Sequence, residues 1–453
     1  MVFQVPFAQL VDVLQATPVH IPEELYSRIV LGLNTDTRTL QPGEAFLALR
    51  GENFDGHRFV ESAIASGASV AIVDHALPVT VPQLVVADTL KAYQALGRWW
   101  RDRFDIPVVA ITGSVGKTTT KELIAAVLGT AGPVLKTEAN FNNEIGVPKT
   151  LLNLNADHRF AVIEMGMRGP GEIAELSHIA RPDIAVITNV GTAHIGRLGS
   201  REAIAGAKCE LLATLPSSSL AVLNAENPLL LETAQAVWSG KTITYGLTTG
   251  ELRGICIDER TLEVDGIRYP LPLPGEHNAL NFLAAIAIAR ALQLDDTALR
   301  QGISVALPEG RAQRYRVAND IVLLDESYNA GAESMFASLK LLAHTPGERR
   351  IAVLGPMKEL GNYAEELHRA VGAAAASLNL DALYILDQGP EGTAMAEGAT
   401  SVPTQQFDSH AALIEHLAQT VQSGDRLLFK ASHAIGLDRV VQGLKDHLGD
   451  ARE

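Results

Sequence analysis

The stretch Val108-Val109-Ala110-Ile111-Thr112-Gly113-Ser114-Val115-Gly116-Lys117-Thr118-Thr119-Thr120 decides the fold of this chain. It starts as a short apolar and β-branched run, which is typical of a buried parallel strand. A turn with two glycines follows, and the residues from Lys121 to Leu128 have a helical pattern. A strand, a glycine turn and a helix in this order form a phosphate cradle, because backbone N–H groups can approach the phosphates and the helix N-terminus carries positive charge. The sequence therefore predicts a nucleotide site here.

Two side chains of this cradle predict its chemistry. Lys117 can reach the outer phosphates, and the Thr118 hydroxyl can ligate Mg²⁺. The glycine spacing is shorter than in the common P-loop, whose first glycine would stand where this chain has Ile111. The alternative is an ordinary glycine turn with a surface lysine. The flanking strand and helix favour the nucleotide site, predicted to consist of Gly113, Ser114, Val115, Gly116, Lys117, Thr118 and Thr119.

Length and composition limit the remaining possibilities. A chain of 453 residues with 47% hydrophobic residues is long enough for about three domains with sizeable cores. The net charge of −15 argues against a nucleic-acid binder, although a local cradle can still bind an anionic nucleotide. Cys209 and Cys256 imply neither a disulfide framework nor a zinc site. Without a long apolar run or a signal-peptide pattern, we expect a cytoplasmic protein that does not insert into membranes.

Alternating strand and helix patterns predict an α/β protein of three domains. Residues 1–104 would form a small α/β domain, residues 105–307 a central P-loop domain with a parallel sheet, and residues 308–453 a doubly wound, Rossmann-like domain. In the first domain, Thr37 and Arg38 lie beside a predicted strand, where a hydroxyl and a guanidinium can bind a second phosphate or a uracil edge. A solvated turn accounts for these two residues equally well.

Several polar residues follow buried strands of the predicted sheets. Glu164 ends one strand, Asn189 and His194 follow the next, and Asp325 ends a strand of the last domain. Ligands of open parallel sheets bind beyond the carboxyl ends of the strands, so we expect the first three beside the cradle. A histidine and a carboxylate there favour Mg²⁺ coordination over a structural role. Asp325 suits a ribose hydroxyl.

Three other segments contain polar residues that have either a functional or a structural interpretation. The loop Asn140-x-Asn142-Asn143 can present amides to a polar substrate, or it is an ordinary asparagine-rich turn. Lys208, within a helical segment, would by itself be interpreted as a surface lysine. The long apolar helix after Gly275 is core, although its polar beginning can meet a nucleotide base.

Taken together, these loops resemble those of the Mur ligases of peptidoglycan synthesis. The resemblance covers nearly the whole chain and also includes Gly310-Arg311, Asp325 to Asn329 and Lys430-x-Ser432-His433. The first domain resembles a uridine-nucleotide domain. The segments Ser327 to Asn329 and Met357 to Gly361 resemble the family member that adds the terminal dipeptide. Gly331, Pro356 and Ala431 depart from the usual family pattern.

The resemblance implies an ATP-dependent amide ligase that adds D-alanyl-D-alanine to UDP-N-acetylmuramoyl-tripeptide through an acyl phosphate, working as a monomer. It implies Lys117, Glu164, His194 and Lys208 as catalytic residues. Two Mg²⁺ ions would be held by Thr118, Glu164, His194 and Lys208, with Lys208 as a carbamate. ATP would also contact His277, Asn278, Asn281, Arg311, Asp325 and Tyr328. The other substrates would contact Thr37, Arg38, Thr137, Asn140, Asn142, Asn143, Asn329 and Ser432.

Three alternative functions stay open at this point. A ligase for the third peptide residue usually carries an Asp-Asn-Pro motif in its last domain, and this sequence has none. A folate polyglutamate ligase would not need a uridine-nucleotide domain. A nucleotide switch would read guanine with an Asn-Lys-x-Asp loop, and no Asn-Lys dipeptide occurs here.

Overall fold

The computed structural model describes residues 3–51 and 53–449. Within these residues, three sheets of 5, 9 and 6 strands follow one another along the chain. Each sheet lies inside one of the three predicted segments, which confirms the three-part α/β architecture. The boundaries at residues 104 and 307 stay predictions.

The first sheet has five short strands in the order β2-β9-β8-β5-β4, of which only β2 runs antiparallel to its neighbour. β1 pairs with β3, and β6 with β7. The strands of this part are β1 Val5–Pro6, β2 Thr17–Val19, β3 Ile29–Val30, β4 Leu33–Asn34, β5 Ala45–Leu47, β6 Arg50–Gly51, β7 Phe54–Asp55, β8 Val70–Val73 and β9 Gln83–Val85. Its helices are α1 Phe7–Leu14, α2 Val60–Ala65 and α3 Thr89–Arg101, with 3₁₀ turns at Glu23–Ser27 and Gly56–Phe59.

Helix α3 connects the first part of the chain to the second. Trp100 is buried, and its Nε1 donates a hydrogen bond to the carbonyl of Leu154 at 3.0 Å. Arg101 lies 3.2 Å from the carboxylate of Asp183. These contacts show that the end of α3 packs at the junction between the two parts.

The central sheet has nine strands in the order β11-β12-β10-β13-β14-β15-β16-β17-β18. It is parallel as far as β16 and continues as an antiparallel meander through β17 and β18. Its strands are β10 Val108–Thr112, β11 Val134–Lys136, β12 Phe160–Glu164, β13 Ile184–Ile187, β14 Leu220–Asn224, β15 Lys241–Gly246, β16 Leu252–Asp258, β17 Thr261–Val264 and β18 Ile267–Pro270. Its helices are α4 Lys117–Gly129, α5 Gly146–Leu151, α6 Glu172–Ala180, α7 Ile195–Leu198, α8 Arg201–Ala213, α9 Pro228–Val237, α10 Glu276–Ala291 and α11 Thr297–Gln301.

The last sheet has six strands in the order β19-β20-β24-β21-β22-β23, and only β19 is antiparallel. Its strands are β19 Gln313–Val317, β20 Ile321–Asp325, β21 Arg349–Leu354, β22 Ala382–Leu386, β23 Thr404–Phe407 and β24 Asp425–Lys430. Its helices are α12 Ala332–His344, α13 Ala364–Ser377, α14 Pro390–Gly398, α15 His410–Thr420 and α16 Asp438–Leu448, with 3₁₀ turns at Gly361–Tyr363 and His433–Ile435.

The second and third sheets direct the carboxyl ends of their parallel strands towards a common cavity. Strand β10, at which the cradle begins, is buried along its whole length because it lies between β12 and β13. Beside the cavity, the Glu333 carboxylate of α12 accepts hydrogen bonds from the N–H and the hydroxyl of Thr192. Among the described residues, no helix has both the length and the apolar character that crossing a bilayer requires.

Candidate active site

The cavity between the central and last sheets has a volume of about 750 Å³. Most residues predicted for nucleotide, metal or substrate contact line it, although they come from segments far apart in sequence. The predicted residues that line it are Gly113, Ser114, Val115, Gly116, Lys117, Thr118, Thr119, Asn140, Asn142, Asn143, Glu164, His194, Lys208, His277, Asn278, Asn281, Arg311, Tyr328, Asn329 and Ser432.

The glycine turn forms the floor of this cavity. Gly116 has a φ of +81°, in the left-handed region that glycine adopts without strain. A Cβ at Gly113 would lie 1.9 Å from Thr188 Oγ1, so a side chain cannot be accommodated there. Lys117 Nζ donates a hydrogen bond to the Gly113 carbonyl at 2.8 Å. Burial lowers the pKa of Lys117, and the Glu164 carboxylate opposes that shift.

A carboxylate with two side-chain donors lies beside the cradle. Glu164 Oε2 accepts a hydrogen bond from Thr118 Oγ1 at 3.0 Å, and its Oε1 accepts one from Asn142 Nδ2 at 2.9 Å. The carboxylate is buried at the carboxyl end of β12. Oxygen ligands of this kind, next to a phosphate cradle, are the donor set that Mg²⁺ prefers.

Behind Glu164 lies a buried lysine that the sequence analysis did not identify. Lys121 is wholly buried, and its Nζ donates to the Thr137 carbonyl at 2.6 Å and lies 3.1 Å from Glu122 Oε1. The Thr137 hydroxyl accepts a hydrogen bond from the Glu164 N–H at 2.9 Å. Thr137 is wholly buried and does not line the cavity. Its hydroxyl therefore positions Glu164 and does not make the predicted substrate contact.

Lys208 is not the surface lysine that its helix alone suggests. Its side chain is buried in α8, and within residues 3–51 and 53–449 its amine has no hydrogen-bond or ion-pair partner. Burial, and next the charge of Lys117, hold the pKa of Lys208 well below its usual range. The site therefore contains an amine that is easily deprotonated and faces the cavity.

His194 lies on the same side of the cavity, at the start of α7. It has a φ of +65°, which is rare for a residue other than glycine. Burial is the main reason that the pKa of His194 is lowered, and the neighbouring Glu359 carboxylate opposes the shift. A neutral imidazole of this kind is able to ligate a metal ion.

An aromatic and cationic surface forms the side of the cavity that belongs to the last sheet. The guanidinium of Arg311 lies 4.0 Å from the centre of the Tyr328 ring, and the His433 ring lies 5.3 Å from the same ring. Lys430 is buried below them, and its Nζ donates to the Asn329 carbonyl at 3.0 Å. Burial lowers the pKa of Lys430. Lys430 and His433 are site residues that the sequence analysis quoted in a motif without assigning them a contact.

Asp325 does not reach the cavity, in contrast to the prediction for a ribose contact. Its Oδ1 accepts hydrogen bonds from the Ser327 N–H at 3.0 Å and from the Ser327 hydroxyl at 2.5 Å. Burial raises the pKa of Asp325. The residue after it, Glu326, lines the cavity instead. The Asp325 carboxylate therefore stabilises the turn after β20 through Ser327.

The beginning of α10 completes the wall next to the cradle. The Asn281 side chain packs so close to Gly116 that a Cβ there would lie 3.1 Å from Asn281 Oδ1. Asn278 Nδ2 donates to the Pro274 carbonyl at 2.7 Å. Burial, and next the charge of Lys430, lower the pKa of His277 to about 4, so this imidazole is neutral at pH 7.

Thr37 and Arg38 lie outside this cavity, in the first part of the chain. The Arg38 side chain is 86% exposed, and its Nη2 lies 2.6 Å from Asp36 Oδ2. Hydrogen bonds from Arg38 lower the pKa of Asp36 to about 2. In this structure the segment is the solvated turn that the sequence left as an alternative, and its contact with a substrate stays a prediction.

Comparison with known proteins identifies the family. A model of the Mur ligase middle domain matches residues 111–289, a model described as Mur ligase, glutamate ligase domain matches residues 310–433, and a model described as Mur ligase family, catalytic domain matches residues 30–97. This chain belongs to the Mur ligase family. It is an ATP-dependent ligase of that family, which excludes the nucleotide switch.

Individual Mur ligases resemble the chain over most of its length. A UDP-N-acetylmuramoyl-tripeptide–D-alanyl-D-alanine ligase of Synechocystis sp. is 58% identical over 413 residues, covering 90% of this chain and 91% of the relative. The enzyme of that name from Escherichia coli is 36% identical, covering 92% and 94%. The crystal structure of MurF from Acinetobacter baumannii superposes with a TM-score of 0.90 at 32% identity, covering 98% of this chain and 99% of that chain.

Proposed function

We propose that this Mur ligase forms the amide bond between the terminal carboxylate of UDP-N-acetylmuramoyl-tripeptide and the amine of D-alanyl-D-alanine. The observation that carries the proposal is the cavity in which the cradle, Glu164, His194 and Lys208 converge. The similar enzymes from Synechocystis sp. and Escherichia coli are named for this reaction. MurF of Thermotoga maritima, in complex with ADP, superposes with a TM-score of 0.83 at 28% identity, covering 92% of this chain and 98% of that chain. That likeness supports ATP as the phosphoryl donor.

The reaction has to bring two anions into contact. The tripeptide carboxylate attacks the γ-phosphorus of ATP, the bond to the bridging oxygen breaks, and ADP leaves. The dipeptide amine then attacks the acyl phosphate carbon, inorganic phosphate leaves, and the amine loses a proton. Lys117 supplies positive charge where the phosphoryl charge develops, and the first N–H groups of α4 point at the same position.

Two Mg²⁺ sites fit the residues present. Thr118 and Glu164 would hold one ion at the phosphates, since the hydroxyl and the carboxylate lie within 3.0 Å of each other. His194 and Lys208 would hold the second ion. Bound Mg²⁺ neutralises phosphate and carboxylate charge. The fold would hold these oxygen and nitrogen donors in position before the substrates bind.

Lys208 would serve the second ion as a carbamate. Its neutral amine attacks CO₂, an N–C bond forms, one proton is released, and the product carries an anionic carboxylate. An ammonium would repel a cation at this position, whereas carboxylate oxygens are ligands that Mg²⁺ prefers. The depressed pKa of Lys208 supports this assignment, because only the unprotonated amine reacts.

The last domain would supply one side of the ATP site. ATP would lie between Arg311 and Tyr328 on one side and the cradle on the other, so turnover would require the last domain to close on the central one. The enzyme would work as a monomer. We place the enzyme in the cytoplasm, where ATP is available.

The test is the release of phosphate from ATP with a panel of UDP-linked muramoyl peptides and amine donors. We expect release only when a tripeptide substrate and D-alanyl-D-alanine are both present, with formation of a pentapeptide product confirmed by mass spectrometry. Preference for a dipeptide acceptor and a single amino acid would instead identify the ligase for the third residue. A solved structure of UDP-N-acetylmuramoyl-L-alanyl-D-glutamate–2,6-diaminopimelate ligase superposes at 19% identity with a TM-score of 0.54, which shows only a common fold.

A further inference from the structure

Two loops from different domains meet at the edge of the cavity through residues of the same unusual conformation. His194, which precedes α7, and Glu359, in the loop after β21, both have a φ of +65°. Residues other than glycine rarely adopt this conformation, and it persists only where the surroundings determine it. The two residues contact each other, so the contact between the central and last domains holds both of them in this backbone conformation.

The backbones of these loops fit together without space for side chains. The Gly196 N–H donates a hydrogen bond to the Glu359 carbonyl at 3.1 Å. A Cβ at Gly196 would lie 2.6 Å from the Gly361 nitrogen, and a Cβ at Gly361 would lie 2.9 Å from the Gly196 Cα. Tyr363 adds a hydrogen bond from its hydroxyl to the Gly199 carbonyl at 3.2 Å. The position of Glu359 relative to His194 is therefore set by the backbone.

The Glu359 carboxylate reaches one ring nitrogen of His194. Glu359 Oε2 lies 2.5 Å from His194 Nδ1, and Oε1 lies 4.0 Å from an Arg197 guanidinium nitrogen. The contact does not have the geometry of a standard hydrogen bond. Nδ1 has no hydrogen-bond partner elsewhere among the described residues, so this carboxylate is the acceptor nearest to a proton on that nitrogen. With the proton on Nδ1, the lone pair of the imidazole is on Nε2, the atom available for a metal ion.

We propose that Glu359 is a positioning residue for His194, which fixes the tautomer and the ring orientation needed at the second Mg²⁺ site. This inference rests on the proposed function of the cavity. Metal-binding histidines almost always donate their other ring N–H to a carboxylate, a backbone carbonyl or a water molecule. Here the carboxylate comes from the last domain, so the second ion site is complete only when that domain packs on the central one.

The proposal is tested by measuring ion binding to the Glu359→Ala enzyme. In the presence of a non-hydrolysable ATP analogue and the UDP-linked substrate, Mn²⁺ titration followed by electron paramagnetic resonance should give two ions per wild-type chain. We expect the affinity for one of them to fall about 10- to 100-fold in Glu359→Ala, while the KM for ATP changes less. Glu397→Ala breaks an exposed ion pair with Arg369 in the same domain and should bind both ions normally.

A double-mutant cycle separates a role through His194 from an independent one. If Glu359 acts through the histidine, Glu359→Ala adds little to the loss of Mn²⁺ affinity already caused by His194→Ala. Unchanged Mn²⁺ affinity in Glu359→Ala would overturn the proposal, as would additive losses or a change confined to the KM for D-alanyl-D-alanine. Glu359→Gln keeps the shape of the side chain and serves as the second variant if Glu359→Ala unfolds; retention of wild-type affinity for both ions in Glu359→Gln would also count against the carboxylate. A wild-type enzyme that binds two ions but does not ligate would instead reject the proposed function.

Discussion

The nucleotide cavity and the turn at Asp36–Arg38 contain similar residue types in opposite states. In the cavity, the Lys208 amine is buried without a partner among the described residues, and Lys117 contacts only backbone carbonyls. On the turn, Arg38 is exposed and paired with the neighbouring Asp36. A buried cation without an anion is unfavourable, so an anionic ligand would complete the surroundings of Lys117, and a buried amine without a partner leaves Lys208 free to react, whereas the exposed pair on the turn needs no ligand.

A histidine cluster elsewhere in the first part of the chain is also fully partnered by the fold. His57, Asp74 and His75 lie close enough together to hold a metal ion. However, His57 Nδ1 lies 2.7 Å from Asp55 Oδ1, and its Nε2 accepts a hydrogen bond from the Asp74 N–H at 3.1 Å. Both nitrogens of His57 are therefore used by the fold. Side chains that the fold leaves without partners are the better guide to a site.

Removing the cradle lysine should have the largest effect. We expect Lys117→Ala to lower the rate of ligation by about 10²-fold or more, because the lysine stabilises charge that develops during phosphoryl transfer. Substrate-dependent phosphate release measures the rate, and circular dichroism checks that the protein is folded. Near-normal turnover by folded Lys117→Ala would reject the cradle as the phosphate site.

Lys208 provides the next test, because it distinguishes an ammonium from a carbamate. Lys208→Ala should be nearly inactive, and added acetate should restore part of the activity by supplying carboxylate oxygens at the vacated position. Lys208→Arg should remain inactive, since a guanidinium stays protonated and does not react with CO₂. Full activity of Lys208→Arg, or no loss of rate after rigorous CO₂ removal, would contradict the carbamate.

His277 gives a smaller, pH-dependent effect on stability. Its pKa is about 4 in the folded protein and about 6.5 as a free side chain, so the unfolded state takes up the proton first as the pH falls. The free energy of unfolding should therefore decrease as the pH falls from 6.5 to 4, and it should not depend on this residue above that window. Urea unfolding should show a weaker pH dependence in His277→Gln. The exposed His178→Gln is the control and should leave the slope unchanged.

The smallest change should come from the exposed turn. Arg38→Ala should raise the KM for the UDP-linked substrate several-fold and leave the KM values for ATP and D-alanyl-D-alanine nearly unaltered. Thermal unfolding should also be unaffected, because an exposed ion pair contributes little to stability. An equal rise of all three KM values would indicate a general disturbance and remove Arg38 from the substrate site.

The sequence by itself determined the parts of this enzyme that depend on local pattern. The strand β10, the glycine turn and α4 are neighbours along the chain, so their periodicity and glycines predict the cradle directly. The same holds for Glu164 and His194, because polar residues after parallel strands lie at one edge of a sheet. These residues line the cavity as predicted.

Only the tertiary structure decided the state of the side chains whose surroundings come from distant segments. Lys121 and Lys208 have the sequence pattern of exposed helix residues, and packing against other elements buries them. Thr137 and Asp325 turn away from the cavity because nearby backbone N–H groups take their oxygens. Glu359 meets His194 across 165 positions of the chain, with both at the same φ of +65°. Periodicity predicts which elements form, whereas burial, partners and pKa depend on what those elements pack against.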